Sequence, residues 1–339
     1  MIQPYTIRFA TLHDVDQIMS FIHTHWQNNH ILAREKSFFQ YEFQNDQAIN
    51  FVIAENKINE IIAILGFINY TKQYQESDIA LVMWKALQGI DPFLGVKLLE
   101  FIGASGFRSV SSVGINSKTA PIYQYLGYQT GVLSHYYQLN PMLHEFNIAT
   151  IQQKYTKLDK TTTQYDIIKL NSVEAGQFLD KFTARKYSHL PYKDKWYLNK
   201  RYLNHPVYHY HFYAIIVNHL ALSIIIAREV VVEKSIILRI VDFLGDTQHI
   251  RGIHHALNQL LLNKEYEYID CYQFGIAHEL MHEAGFILHT HHDLNIIPNY
   301  FEPFIKKNIS LHYCTNSKEK MYFFKGDGDQ DRPNYFREK

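Results

Sequence analysis

The chain has 339 residues, of which 47% are hydrophobic and 19% are charged, and its 33 basic residues balance its 33 acidic ones. That length can bury two ordinary hydrophobic cores, and a zero net charge lacks the basic excess that nucleic-acid binding requires. Its two cysteines are too few for a disulfide framework, which favours a reducing, cytoplasmic location. No apolar run is long enough to span a bilayer, so we expect no membrane insertion.

The first part of the chain alternates strand and helix patterns. Strands are predicted over 5–10, 51–55, 61–69, 78–87 and 109–115, and helices over 11–22, 35–44, 91–103 and 121–126. Thr11 with Asp14 three residues on resembles a capping box at the start of the first helix. Asp91 and Pro92 place an N-cap residue and a proline at the start of the third.

A weaker copy of this plan follows in the second part of the chain. Gly114-Ile115 ends a strand and Gly127-Tyr128 ends a short helix, and the same pairs of features recur at Gly275-Ile276 and Gly285-Phe286. A repeat of about 150 residues is the usual size of a domain. We therefore predict one unit over 1–145, a linker over 146–165, a second unit over 166–325, and a charged C-terminal tail over 326–339.

The first unit resembles the GNAT superfamily of N-acyltransferases. The resemblance depends on the element order and on the opening 8–11 with Asp14, the helix start 95–99, and Asn116, Tyr123, Leu126, Gly127 and Tyr128. It implies an α/β (α+β) fold of two tandem GNAT-like domains, each a mixed central sheet flanked by helices. It further implies an acyl-CoA donor, acetyl-CoA or another, and direct transfer of the acyl group to an amine.

The same resemblance implies a donor site between the fourth and fifth strands. The arm of CoA would pair with the backbone of Leu81, Val82 and Met83, and the pyrophosphate would lie on backbone amides near Gly89, Leu94, Gly95 and Val96, where a helix N-terminus favours anions. Asn116 would contact the arm, unless it is only a helix cap. Tyr123 would protonate the departing thiolate, unless it is a packing tyrosine.

One departure from the family concerns the phosphate-binding loop. Of the family's Arg/Gln-x-x-Gly-x-Gly pattern only Gly95 is present, and Asp91 brings a carboxylate to the place where a pyrophosphate would dock. Either the loop shifts to cradle the pyrophosphate, or this unit no longer binds CoA. The corresponding loop of the second unit is weaker still, so we expect that unit to bind no acyl-CoA and to shape the acceptor site instead.

The C-terminal sequence is similar to tandem acyltransferase-like proteins of bacterial surface-polysaccharide gene sets. That similarity suggests an amino-sugar acceptor, nucleotide-linked, as the small-molecule partner. The residues expected to bind it are Asn29, Tyr202, His205, Asp329, Asp331 and Arg332, and the candidates for the catalytic base are His30 and Glu76. A homodimer is left open.

Three alternatives remain at this point. The chain could be a non-catalytic binding or scaffold protein made of two degenerate acyltransferase folds, or an aminoacyl transferase that acts on peptidoglycan precursors. The segment His278-Glu279-Leu280-Met281-His282 matches the H-E-x-x-H pattern of zinc proteases. The duplicated fold accounts for that helix without a metal, so we expect no zinc there and no metal elsewhere.

Overall fold

The computed structural model describes residues 5–74, 77–154, 163–183 and 190–335. The strands of the first part are β1 (Tyr5–Thr11), β2 (Gln44–Asn45), β3 (Ala48–Asn56), β4 (Ile61–Asn69), β5 (Asp78–Ala86), β6 (Ser109–Ile115), β7 (Gln129–Val132) and β8 (Ser134–Leu139). Its helices are α1 (Val15–His25), α2 (Ile31–Arg34), α3 (Lys36–Phe43), α4 (Leu94–Gly103) and α5 (Ala120–Tyr125). The predicted elements of this part are therefore present.

The second part repeats the order. Its helices are α6 (Ser172–Thr183), α7 (Lys195–Leu198), which continues into a π-helical turn (Asn199–Leu203), α8 (His254–Lys264) and α9 (His278–Glu283). Its strands are β9 (Asp166–Leu170), β10 (Tyr210–Val217), β11 (Leu220–Val232), β12 (Ser235–Leu244), β13 (Tyr268–Phe274), β14 (Ile287–Leu288), β15 (Tyr300–Phe301), β16 (Phe304–Ile305), β17 (His312–Thr315) and β18 (Phe323–Phe324). No helix of the described ranges is long and apolar enough to cross a membrane.

These strands form two mixed sheets, which confirms the predicted fold class. The first sheet has the order β1-β3-β4-β5-β6-β17-β7, with β2 beside β3, and the second has the order β14-β8-β13-β12-β11-β10-β9, with β18 beside β13. The parallel pairs are β5 with β6 and β12 with β13. Among the described strands, each sheet thus has one parallel pair, and the two pairs hold equivalent positions in the order of elements.

The two halves exchange a strand. β8 leaves the first sheet and lies between β13 and β14 of the second, whereas β17 returns from the C-terminal part and lies between β6 and β7 of the first. A chain boundary near residue 145 therefore does not separate two closed sheets. Each sheet thus contains an internal strand, next to its edge, that the other half of the chain supplies.

The core between the sheets is shared as well. Phe39 and Phe51 of the first half belong to the same buried apolar cluster as Phe212 and Val241 of the second. The outer face of the first sheet is covered by α4 and α5, and the outer face of the second by α8 and α9. In α4 the buried side chains recur with helical spacing, which is the pattern of a helix with one face on a sheet.

The C-terminal segment, residues 321–335, lies inside the molecule. Asp327 and Asp331 are fully buried although the sequence predicted a charged tail here. Asp327 forms an ion pair with Lys193, and Asp331 forms one with Arg228. The charges of this segment are therefore neutralised by partners that are distant in the sequence.

Candidate functional site

The first sheet opens between its two parallel strands. β5 and β6 are paired only from Asp78 with Ser109 to Ala80 with Ser111. Beyond that point β5 carries a bulge, in which Met83 adopts a φ of 45° and the register against β4 shifts. A bulge bends a strand away from its neighbour. The space between the diverging strands, here called the first opening, can therefore accept an extended ligand along a strand backbone.

The second sheet has the same opening, and the chain itself fills it. β12 and β13 are paired only from Leu238 with Ile269 to Ile240 with Cys271. β18 then pairs with the free edge of β13, and the Gly326 N–H donates to the Val241 carbonyl at 2.8 Å. A side chain at Gly326 would collide with that carbonyl, since a Cβ would lie 2.6 Å from its oxygen. The second opening is thus occupied by the C-terminal segment.

An acidic side chain holds the N-terminus of α4. Asp91 Oδ1 accepts from the Phe93 N–H at 2.8 Å, and Oδ2 lies 2.8 Å from the Lys97 ammonium and accepts from the Tyr5 hydroxyl. Lys97, then Tyr5 and the Phe93 amide, lower the pKa of Asp91 to about 2. A stable negative charge therefore occupies the place where a diphosphate would dock, and the residues of this helix end do not fit that group.

Trp84 lies between the first opening and the predicted acid, Tyr123. Its indole N–H donates to the Gly95 carbonyl at 3.2 Å, and its ring meets the Tyr123 ring edge-on with centroids 5.7 Å apart. Tyr123 is 3% exposed, and its hydroxyl has no hydrogen bond within the described ranges. Burial raises the pKa of Tyr123 far above that of a free phenol. Tyr123 is thus buried against Trp84.

Two of the other residues that were predicted to contact the acyl donor already form hydrogen bonds within the protein. Leu81, Val82 and Met83 are buried on β5 beyond its last pair with β6, and the Leu81 carbonyl already accepts from the Ser112 hydroxyl at 2.8 Å. Asn116 caps a short 3₁₀ turn, where its Oδ1 accepts from the Lys118 N–H at 2.9 Å.

The residues predicted to bind the pyrophosphate, before and at the start of α4, differ in burial and in the free space around them. Gly89 has open space at its Cβ position and a φ of +84°, whereas a Cβ at Gly95 would lie 3.1 Å from the Trp84 indole. Leu94 is buried in the core under α4, and Val96 faces partly outward on the same turn.

The C-terminal segment covers the first opening on the face toward the second half. Gly328 lies close to Ala80, Val82 and the Val113 carbonyl. The Gln330 side chain fills the space beside Gly114, where a Cβ would lie 2.0 Å from its amide nitrogen. Sequence analysis did not single out Gln330, because only the fold brings it to β6.

A polar cluster follows directly along this segment. Arg332 is 6% exposed and pairs with Asp329 at 3.3 Å, while its Nε and Nη1 have no partner in the described part of the chain. Burial first, and then Arg332, lower the pKa of His30 to about 3. The structure thus brings together three residues that the sequence predicted for one site: His30, Asp329 and Arg332.

His30 does not have the arrangement of a general base. Its Nδ1 accepts from the Leu32 N–H at 3.2 Å, where it caps α2. A neutral imidazole has one acceptor nitrogen, so this bond leaves Nε2 as a donor. A low pKa also makes the ring too weak a base to deprotonate an ammonium group. The other candidate, Glu76, lies outside the described residues.

The remaining predicted acceptor residues lie apart from this cluster. Asn29 is exposed and accepts from Arg34 at 3.1 Å. Tyr202 is buried and donates to Asp242 at 2.8 Å. His205 is buried and accepts two backbone N–H groups at Nδ1. Asp331 lies between Arg228 and Tyr210. Of these residues, Asp331 joins the C-terminal segment to the second half.

The H-E-x-x-H helix belongs to the second core. His278 and His282 have ring centroids 6.2 Å apart, and His278 Nδ1 lies 3.2 Å from the Tyr136 hydroxyl. Across the described ranges no group of three or more His, Cys, Asp or Glu side chains is placed to hold a metal ion. The expectation that the chain binds no metal stays a prediction.

Comparison with solved structures shows that other proteins share this fold. A GCN5-related N-acetyltransferase from Anabaena variabilis superposes with a TM-score of 0.55 at 10% identity, over 92% of this chain and 72% of that one. A conserved protein of unknown function, and probable N-acyltransferase, from Enterococcus faecalis gives a TM-score of 0.56 at 8% identity, over 91% and 72%. No family model matches the chain, and no curated protein matches it.

These comparisons establish the fold class of the chain. The chain has the tandem GCN5-related N-acetyltransferase fold, in which the C-terminal segment pairs with β13 in the second opening and covers one face of the first. At these identities the likeness shows the fold, and the activity has to be argued from the site.

Proposed function

We propose that the first half transfers an acyl group from a thioester to an amine. The observation that supports this proposal is the divergence of β5 and β6 after Ala80 and Ser111, next to the bulge at Met83. An extended thioester arm can lie along such an unpaired strand edge, as an added strand does. The filled second opening leaves the first as the site for the arm.

The acceptor in this proposal is an amino sugar linked to a nucleotide. In this proposal its amine lies at the first opening and its nucleotide at Arg332, which follows Gly328 and Gln330 along the C-terminal segment. The unpaired Nε and Nη1 of Arg332 are donors for the negative charge of a nucleotide, because a buried guanidinium binds phosphate strongly. The link to polysaccharide synthesis rests on the sequence resemblance alone.

Within this proposal, the acyl-CoA donor fits the site less well than the acceptor does. The opening suits a thioester arm, but Asp91 repels a diphosphate at the N-terminus of α4. If acetyl-CoA is the donor, its diphosphate lies elsewhere than on that helix end. Tyr123 remains the proposed acid, on the condition that Trp84 rotates away; His30 is not proposed as the base.

The first prediction is that Asp91→Asn improves the use of acetyl-CoA. Asparagine can still accept from the Phe93 N–H before α4, while the negative charge is lost and the Lys97 ammonium is released. We expect kcat/KM for acetyl-CoA to rise about fivefold to tenfold, which is the effect of removing one nearby charge. S-acetyl pantetheine lacks the diphosphate, so its kcat/KM should stay unchanged. Release of free thiol, with nucleotide-linked amino sugars as acceptors, measures both.

Asp16→Asn is the matched control, since Asp16 forms an exposed pair with Lys36 away from α4. A fall in kcat/KM for acetyl-CoA in Asp91→Asn would mean that Asp91 supports the donor site. Absence of thiol release with every acceptor and either donor would contradict the acyl-transfer proposal.

A second candidate function is binding without catalysis. It is favoured by Trp84, whose indole lies where a donor would have to reach Tyr123. In that case the nucleotide-linked sugar would bind at Arg332 and raise the melting temperature by mass action, and no thiol would be released from any donor.

A further inference from the structure

Residues 328–330 of the C-terminal segment cross the first opening on the face toward the second half, and they are here called the strap. Gly328 lies against Ala80 of β5, and the Gln330 side chain lies against Gly114 of β6. The strap therefore connects the two strands on either side of the opening, beyond the point where their pairing ends.

The contacts of the strap with these two strands are weak. A Cβ at Gly328 would lie 3.8 Å from the Ala80 Cβ, which is an ordinary van der Waals distance. The Gln330 amide donates to its own neighbour Asp329 at 2.8 Å, and Asp329 pairs with Arg332 at 3.3 Å. Within the described ranges no hydrogen bond joins the strap to β5 or β6. The strap thus covers the opening by its shape.

The second half holds both ends of the strap. Asp327, just before it, forms an ion pair with Lys193 at 2.8 Å. Asp331, just after it, forms one with Arg228 at 2.7 Å, and its carbonyl accepts from Arg201 at 2.8 Å. Three residues between two such anchors can lift from the opening while the rest of the segment stays in place.

The opposite face of the opening is covered by a hydrophobic core. α4 and α5 lie there, and Leu94, Leu98 and Tyr123 are each 3% exposed or less. Uncovering the opening on that face would expose large apolar side chains to water, which is unfavourable. Lifting the strap separates only the van der Waals contacts of one glycine and one glutamine. The strap is therefore the cover that opens more easily.

We propose that the strap is an autoinhibitory gate on the acceptor side of the first opening. In the closed position, which this structure shows, Gly328 and Gln330 occupy the space through which an amine would reach the thioester. In the lifted position the amine enters. This inference rests on the proposed acyl transfer, because it concerns the regulation of the same site.

The first test measures opening without any substrate. Ala80 is fully buried beneath Gly328, so in Ala80→Cys a soluble thiol reagent reaches the sulfur in the folded protein only when the strap lifts. Ala54→Cys is the matched control, because Ala54 is equally buried in the same sheet but packs on the face of α4. The wild type gives the background from Cys271 and Cys314.

We expect Ala80→Cys to be labelled at least about tenfold faster than Ala54→Cys under native conditions, because local opening requires less free energy than global unfolding. Equal rates of labelling would mean that Ala80 is reached only by global unfolding, and the gate would then be overturned.

The second test locks the strap with a disulfide. The 3.8 Å between a Cβ at Gly328 and the Ala80 Cβ is the usual spacing of a disulfide. In the double variant Ala80→Cys/Gly328→Cys, oxidation should lower thiol release from S-acetyl pantetheine, with nucleotide-linked amino sugars as acceptors, at least about tenfold. Reduction should restore it. The reduced form is the reference, since Gly328 has a φ of +68° and cysteine is strained there.

Oxidised Ala80→Cys and oxidised wild type are the controls, and both should keep their activity. Thiol release that is unchanged by oxidation of the double variant would refute the gate while acyl transfer stands. Absence of thiol release in the wild type and in the reduced variant would contradict acyl transfer itself, whereas fast labelling of Ala80→Cys would still demonstrate a strap that opens.

Discussion

Fragments 1–154 and 155–339 should each fail to fold when they are produced alone, and should form a stable complex when they are produced together. The first fragment lacks β17, so β6 and β7 lose the strand that joins them. The second lacks β8, so β13 and β14 lose theirs. A missing internal strand leaves unpaired backbone on both of its neighbours, which a sheet cannot bury. Co-purification and circular dichroism measure the outcome.

The control replaces one residue of the exchanged strand. Cys314 is fully buried in β17, paired with Ser112 on one side and Thr130 on the other. Proline at this position removes a backbone donor inside a sheet, so Cys314→Pro in the second fragment should abolish complex formation. A fragment that folds alone with a cooperative unfolding transition would show that the exchange is not required for the fold.

Lys193→Met should destabilise the protein by about 3–5 kcal/mol, which is typical when one partner of a buried ion pair is removed. Lys193 is 3% exposed and lies 2.7 Å from Asp242 and 2.8 Å from Asp327. Burial alone would lower the pKa of Lys193, and the two carboxylates more than offset this and raise it. Methionine would fill the space and leave two buried carboxylates without a cation. Urea unfolding at several pH values measures the change.

The destabilisation caused by Lys193→Met should change with pH in a definite direction. Burial raises the pKa of Asp327 above its unfolded value, so the folded state gains stability as the pH falls and this group is protonated. Lys193 opposes this rise, so the pKa of Asp327 is higher still in Lys193→Met, and the variant gains more stability on acidification than the wild type. The difference between the two proteins should therefore narrow from pH 8 toward pH 5. The control is Lys195→Met, because Lys195 pairs with Asp180 on the surface and such pairs contribute about 0.5 kcal/mol. A difference that widens on acidification would contradict the assignment.

Most elements of the fold could be predicted from local patterns. The strand at Ser109–Ile115 follows the sequence, and so does the helix predicted over 91–103, although it begins at Leu94 with Phe93 as its N-cap, so the prediction of Asp91 as N-cap and Pro92 as first helical residue was wrong. The capping box at Thr11 is present, since its N–H donates to Asp14 at 2.7 Å. The strand exchange could not be predicted in this way. An apolar strand such as β8 or β17 carries no local signal for the sheet it joins.

The burial of the C-terminal segment could not be predicted from the sequence for a related reason. Its acidic residues are typical of a solvated tail unless their partners are known, and those partners, Lys193 and Arg228, lie more than a hundred residues away in the chain. One signal was present in the strand before Phe243, where Asp242 interrupts an apolar run. A buried carboxylate requires a cation or donors, which predicts a partner without naming Lys193.

The candidate site was predicted in part. The conflict between Asp91 and a pyrophosphate followed from the sequence, because a helix N-terminus has few donors and a carboxylate competes for them. The grouping of Asp329 and Arg332 with His30 also has a counterpart in the structure. The position of Trp84 did not follow, since the rotation of a side chain depends on packing against Gly95 and Tyr123, which local sequence does not encode.

The most direct test of the account is the binding of an acyl-pantetheine analogue in which a thioether replaces the thioester. Titration should show one molecule bound per chain, because the C-terminal segment fills the second opening. Binding should also change the tryptophan fluorescence through Trp84, and the change should be absent in Trp84→Phe. Two molecules per chain, or binding with the fluorescence of Trp84 unaltered, would contradict the claim that the first opening is the donor site.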